Sequence, residues 1–311
     1  MKYSIVFPGQ GSQSLGMLSD FHSNFPVVSE VFQEASDAIN VDLWKLIQED
    51  QEELNLTVNT QPAMLAAGYA TYKILENEIN LSPDSMAGHS LGEYTALVAS
   101  ESLSFFEAIR LVRKRAELMQ AAVPSGSGSM AAILGLDDTN IIQICAQASD
   151  IGVVEAVNFN SPGQVVIAGE KKAVAHACEL MKEAGAKRAL ILPVSVPSHC
   201  SLMTNAAKDF KSSVQDVNFE MGNARVIHNV DADYALDINA IKSKLVEQMY
   251  KPVLWTLTVQ KMKQSGVERL LEVGPGKVLA GLTRRIEKSL SGSAIIDTTS
   301  LRSTIEEISN A

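Results

Sequence analysis

The stretch Met86-Ala87-Gly88-His89-Ser90-Leu91-Gly92-Glu93 decides how the rest of the chain is read. A short apolar segment runs into G-x-S-x-G, and a helical pattern starts at about Glu93. In such a strand-to-helix turn the flanking glycines let the backbone crowd, the serine hydroxyl sits at the tip, and the next N–H points into the same space. Ser90 is therefore the candidate nucleophile and the Leu91 N–H a candidate oxyanion donor. The alternative is an ordinary glycine turn.

Working outward, residues 3–7 read as a first strand, followed by the loop Pro8-Gly9-Gln10-Gly11. A helix is expected from Pro62 to Leu75 with Thr60 as its cap, and Ser104-x-x-Glu107 opens another to about Ala122. At Pro124-Ser125-Gly126-Ser127-Gly128-Ser129 the composition turns linker-like over too few residues for a free tether. Strand 130–135, a helix after Asp137, strands 153–159 and 165–168, helix 171–184 and strand 188–194 then give the order βαββαβ, a ferredoxin-like arrangement. Beyond it lie a helix after His199, strand 225–230, helices 237–250 and 253–264, strand 268–273, a Gly274-Pro275-Gly276 turn and a last helix. Strands alternating with helices imply an α/β fold with a mainly parallel sheet covered on both faces. The expected organisation is a large domain of residues 1–124 and 198–311 into which a small domain, 125–197, is inserted.

Composition removes several function classes. With 46% hydrophobic residues, 311 residues bury a sizeable core. The 26 basic against 36 acidic side chains leave a net charge of −10, which opposes nucleic acid and anionic membrane partners. Cys145, Cys178 and Cys200 are odd in number and lack C-x-x-C spacing, so neither a disulfide framework nor a metal knuckle is expected, and a reducing cytoplasm is. The N-terminal apolar run is too short for a signal peptide. The uncharged stretches 118–136 and 189–207 are broken by proline, and the first by glycine as well, so neither reads as a membrane span. Gly9-Gln10-Gly11 has Ser14 where a dinucleotide loop needs its last glycine, and Gly274-Pro275-Gly276-Lys277 lacks the spacing of a phosphate loop.

A serine at its ordinary pKa needs a base. Of the five histidines, His22 and His176 fall in exposed helical patterns, His228 in a strand, and His89 beside the nucleophile, where neighbouring side chains diverge. His199 lies in the uncharged loop Val194-Ser195-Val196-Pro197-Ser198-His199-Cys200 between a strand and a helix, the usual place for a base; the competing role is that of a buried structural histidine. No acidic residue stands out as a third triad member, so a backbone or amide carbonyl is left to orient the imidazole. On the helix after Ser104, Glu107, Arg110, Arg113, Lys114 and Glu117 share one face, whereas Arg115 falls with Ala108, Leu111, Val112, Leu118, Met119 and Ala122. A guanidinium does not lose its proton, so an inward Arg115 needs an anionic or strongly polar partner: an internal ion pair, or a substrate carboxylate gripped in two hydrogen bonds.

Taken together, five strings in order along nearly the whole chain resemble the malonyl-CoA:acyl carrier protein transacylases of bacterial fatty acid synthesis. They are Phe7-Pro8-Gly9-Gln10-Gly11-Ser12-Gln13, Gly88-His89-Ser90-Leu91-Gly92-Glu93-Tyr94, Asn158-Phe159-Asn160-Ser161-Pro162-Gly163-Gln164, Val196-Pro197-Ser198-His199-Cys200 and Glu272-Val273-Gly274-Pro275-Gly276-Lys277. The resemblance implies an α/β-hydrolase-like large domain with the ferredoxin-like insert, and a site in the cleft between them. It implies transfer of malonyl from coenzyme A through an ester on Ser90 to the phosphopantetheine thiol of acyl carrier protein, with no permanently bound cofactor and no metal. His199 would be the base, Gln248 the residue whose backbone carbonyl orients it, Gln10 and Leu91 the oxyanion N–H donors, and Arg115 the holder of the malonyl carboxylate. Asn158 and Asn160 would edge the cleft. Lys187 with Arg188 and Arg284 with Arg285 are candidate surfaces for the acidic carrier. Ser198 departs from the pattern, since serine before this histidine accompanies branched extenders in related polyketide acyltransferases. A polyketide-type acyltransferase, a serine hydrolase or thioesterase, and a non-enzymatic binding module are the competing readings.

Overall fold

The computed structural model describes residues 1–194 and 196–310; Ser195 and Ala311, which the expected domain ranges include, lie outside the described residues. From the N-terminus come β1 (Tyr3–Phe7), α1 (Ser19–Asn24), α2 (Val27–Ile39), α3 (Leu43–Glu49), α4 (Gln51–Asn55), α5 (Thr57–Glu78), β2 (Met86–Gly88), α6 (Gly92–Ala99) and α7 (Phe105–Ala121). The middle of the chain forms β3 (Gly128–Leu134), α8 (Asp138–Ala148), β4 (Val154–Ser161), β5 (Gln164–Glu170), α9 (Lys171–Glu183) and β6 (Arg188–Ile191). The rest forms α10 (Thr204–Asp216), β7 (Val226–Ile227), α11 (Ile238–Glu247), α12 (Trp255–Gln264), β8 (Arg269–Val273), α13 (Val278–Ile286), β9 (Ser291–Ile295) and α14 (Thr298–Ser309).

Five strands in the order β7-β2-β1-β8-β9 make an all-parallel sheet. All five residues of β1 at its centre are buried, as expected of a strand covered on both faces. The middle segment makes a separate sheet, β4-β5-β3-β6, with every pairing antiparallel. Its own core runs through Ile133, Ile141, Val165, Ile167, Val174 and Met181. Aspartates cap the helices where the sequence changes from turn to apolar period: Asp42, Asp137, Asp237 and Asp297 each accept a backbone N–H, typically worth about 1 kcal/mol per cap.

Several boundaries differ from expectation. The helix expected at Pro62 starts at Thr57, and the Thr60 hydroxyl donates to the Leu54 and Leu56 carbonyls instead of capping. Pro62 is thus inside α5 and leaves the Val58 carbonyl without its helical donor. The Arg113 Nη1 of α7 donates to that oxygen at 3.0 Å, which explains why the helix runs through the proline. Ser104 does cap α7, accepting from the Glu107 N–H, but the Glu107 carboxylate accepts from the Ser104 hydroxyl and not from its backbone, so only half of the box forms. Strand 225–230 shrinks to Val226–Ile227 and places His228 just past it; strand 188–194 ends at Ile191. The helix after the Gly274-Pro275-Gly276 turn is not the last element, for β9 and α14 follow. Buried Glu272 caps that turn, its carboxylate accepting from the Ala280 N–H.

Candidate active site

β2 ends at Gly88 and α6 begins at Gly92, so the three residues between them form the tip of a tight elbow. A Cβ on Gly88 would lie 1.9 Å from the Gly92 carbonyl, and one on Gly92 would lie 2.2 Å from the Phe7 oxygen of β1. Only glycine at both positions lets the elbow press onto the central strand. Ser90 at the tip has φ 50°, a left-handed backbone that is costly for a residue with a Cβ. Its peptide groups are held accordingly. The Ser90 N–H donates to Asn229 Oδ1 at 2.7 Å, Asn229 Nδ2 donates to the Gly88 carbonyl at 2.7 Å, and Gln248 Nε2 donates to the Ser90 carbonyl at 2.9 Å.

His199 reaches the same point from the other side of the chain. It too is left-handed, at φ 66°, and its N–H donates to the Met249 carbonyl. Its Nδ1 lies 2.6 Å from the backbone oxygen of Gln248, and its Nε2 lies 2.7 Å from Ser90 Oγ. A carbonyl oxygen only accepts, so Nδ1 carries the proton and Nε2 is left as the acceptor for the serine hydroxyl. Burial, reinforced by the charge of Arg115, pushes the imidazole down to about 3, which keeps it neutral. The carbonyl stands where a hydrolase triad would have its acid, the position for which no acidic residue stands out in the sequence.

Arg115 is 1% exposed on the inner face of α7. Nη1 donates to Gln61 Oε1 at 2.7 Å, and Nη2 donates to Gln248 Oε1 at 2.9 Å and to Ser90 Oγ at 3.2 Å. Among the described residues its Nε has no acceptor, and the Tyr94 ring lies 5.5 Å from the guanidinium carbon. Among the described residues no carboxylate reaches ion-pair distance of it, so the internal ion pair weighed as its alternative role is not there.

The remaining expected residues surround this centre. Among the described residues the N–H groups of Gln10 and Leu91 have no backbone acceptor, while the Gln10 side chain accepts from Thr57 Oγ1 at 2.8 Å. Asn160 Oδ1 meets His89 Nε2 at 2.8 Å, which ties β4 of the small sheet to the elbow and accounts for His89. Asn158 faces Val253 across an isolated bridge, with its Oδ1 buried and unpartnered. Glu155 of β4 accepts from the N–H and hydroxyl of Ser201, two residues past the histidine. Residues that sequence reading passed over complete the shell: Gln61, Glu93, His228 and Asn229. Buried Glu93 accepts from His228 Nδ1 at 2.8 Å, the Asn229 N–H at 2.9 Å and Gln248 Nε2 at 2.9 Å. A carboxylate three residues after the nucleophile, on a helix otherwise free of charge, was the available signal for Glu93; Asn229 gave none. Among the described residues no cluster of histidine, cysteine or carboxylate side chains suits a metal ion, and no helix is long and apolar enough to cross a membrane.

Comparison with known proteins places this geometry. Residues 4–302 match the acyl transferase domain family. A malonyl CoA-acyl carrier protein transacylase of Haemophilus influenzae is 52% identical over 98% of each chain. The chain belongs to the malonyl CoA-acyl carrier protein transacylase family. An acyl carrier protein S-malonyltransferase of Vibrio cholerae superposes on this transacylase family member with a TM-score of 0.95 at 51% identity, covering 98% of this chain and all of that one. A type II PKS malonyl-transacylase, solved in complex with its acyl-carrier protein, superposes with a TM-score of 0.97 at 50% identity over 99% of this chain and 100% of its own.

Proposed function

We propose that the chain moves malonyl from malonyl-CoA to the phosphopantetheine thiol of acyl carrier protein through an ester on Ser90. Ser90 Oγ attacks the thioester carbonyl while its proton passes to His199 Nε2. The oxyanion is received by the Gln10 and Leu91 N–H groups, and coenzyme A leaves as the thiol with the proton from His199. The carrier thiol then gives its proton to the same nitrogen and attacks the ester, and Ser90 Oγ leaves with that proton from His199, which restores the hydroxyl and the neutral imidazole. The Gln248 carbonyl holds the imidazolium formed in each step. Arg115 grips the distal carboxylate, and a carboxylate seated there offsets the part of the His199 depression that the guanidinium adds to burial, which favours proton uptake by the base. Asn158 and Asn160 line the small-sheet side of the cleft. No resident cofactor enters the scheme, and its setting is the cytoplasm, as the free cysteines suggest.

The same reading gives the architecture: residues 1–124 and 198–311 as an α/β-hydrolase-like domain, and residues 125–197 as an inserted ferredoxin-like domain. In its favour, the four inserted strands stand in the order second, third, first, fourth, all antiparallel. The observation that carries the functional proposal is that one hydroxyl, Ser90 Oγ, is shared by a neutral imidazole at 2.7 Å and by an acid-free guanidinium at 3.2 Å. A nucleophile with an uncompensated guanidinium beside it fits a short acyl thioester that ends in a carboxylate, such as malonyl. Intact-mass spectrometry after mixing with malonyl-CoA tests it: a malonyl adduct is expected on the wild type and none on Ser90→Ala. Free malonate without an adduct would make the protein a hydrolase, and neither product would make it a binding module.

A further inference from the structure

An amide side chain can present either end to a neighbour, and around Arg115 the hydrogen bonds fix which. Gln61 Nε2 donates to Thr57 Oγ1 at 3.2 Å; that hydroxyl spends its hydrogen on Gln10 Oε1, so it can only accept from Gln61. Gln248 Nε2 is claimed by two acceptors, the Ser90 carbonyl and Glu93 Oε2, each at 2.9 Å. Both amides are thereby turned with their oxygens toward the guanidinium, one on each Nη. Glu93 stands behind Gln248 and is occupied by His228, the Asn229 N–H and Gln248 itself. The cation is therefore located by neutral acceptors and neutralised by none of them.

We infer that Gln61 is a specificity-determining positioning residue: with Gln248 it forms a neutral clamp that aims Arg115 while leaving its charge for the free carboxylate of the incoming acyl group. A carboxylate in place of Gln61 would pair with the guanidinium and be the first acid it met. This rests on the reading of Arg115 as the malonyl-binding residue, so the test includes that reading.

The test uses the full chain with phosphopantetheinylated carrier and compares kcat/KM for malonyl-CoA and acetyl-CoA in the wild type, Gln61→Glu, Gln61→Met and Arg115→Ala, with a melting temperature for each. In Gln61→Glu the malonyl-to-acetyl ratio should fall at least about tenfold, carried by a higher KM for malonyl-CoA, with the melting temperature unchanged or raised by the new ion pair. Gln61→Met loses an acceptor without adding charge and should lower the ratio by about three- to tenfold. Ratios within twofold of wild type in both Gln61 variants, or equal losses for both acyl groups, would overturn the clamp while Arg115→Ala still abolished the preference. An Arg115→Ala enzyme that kept its preference would overturn the Arg115 reading and the clamp with it.

Discussion

Arg115 and Glu93 are both fully buried charges, on consecutive helices, joined through one amide, yet their surroundings are opposites. Glu93 accepts from His228, the Asn229 N–H and Gln248, so its anionic oxygens are fully engaged inside the protein. Among the described residues Arg115 donates only to neutral oxygens, and two of its five N–H groups, at Nε and Nη1, have no acceptor. A buried ion is costly until it is paired, so the closed shell marks a charge that serves the architecture and the open shell, on the proposed function, one that receives a ligand. Burial is the same at both sites; the completeness of the partner shell separates them.

The largest effect that sharpens this contrast is at neither residue. His199→Ala should slow malonyl and acetyl transfer alike, by about 10²–10⁴-fold, because the base acts at the thioester and is blind to the far end of the acyl group. Next, Arg115→Ala should lower kcat/KM for malonyl-CoA by about 10²–10³-fold, spare acetyl transfer and leave the melting temperature unchanged. Glu93→Ala should do the reverse, strand His228 and Gln248, destabilise the fold by about 3–5 kcal/mol and depress both substrates together. A lowered melting temperature in Arg115→Ala, or an acyl-selective loss in Glu93→Ala, would break the contrast. The smallest effect is on pH. With His199 held near 3 in the folded free enzyme against about 6.5 in the unfolded chain, the unfolded state binds the extra proton between those values. That contribution to stability is complete above pH 6.5 and lost progressively as pH falls toward 3. Thermal melts from pH 7 to pH 4 should therefore fall more steeply for wild type than for His199→Gln, and equal slopes would show that the imidazole titrates normally.

Much of this was legible in the sequence because it is local. A G-x-S-x-G turn between an apolar segment and a helix carries its own geometry, and the inward arginine follows from a hundred-degree wheel over Ala108, Leu111, Val112 and Met119, all buried. The strands of the small sheet matched to within about three residues because each is a short apolar run bounded by turn or helix signals, such as Ser161-Pro162-Gly163 between β4 and β5. What escaped depends on distant partners. Helix α5 begins five residues early because a proline defect is repaired from α7, across 55 residues of sequence. Strand β9, Ser291-Gly292-Ser293-Ala294-Ile295, has one apolar residue of any size and is specified by pairing with β8. Asn229 and Gln61 are uncharged polar side chains whose role appears only once the elbow and α7 are folded against them.

The proline repair has a mechanical side. Arg113 and Arg115 stand two positions apart on α7 and point to opposite sides of its contact with α5, one hooked on the Val58 carbonyl and Asn59, the other on Gln61. Two fasteners off a common axis resist twisting as well as sliding, so these helices behave as one rigid jaw. The small sheet is fastened to the rest through β4, by the backbone bonds that Val157 and Phe159 exchange with Val253 and by Thr256 to the Phe159 carbonyl, with side-chain ties at Asn160 to His89, Glu155 to Ser201 and Arg285 to Gln164. Under the proposed function, the carboxylate of the thioester would be seated on this rigid pair of helices and so kept in register with the nucleophile.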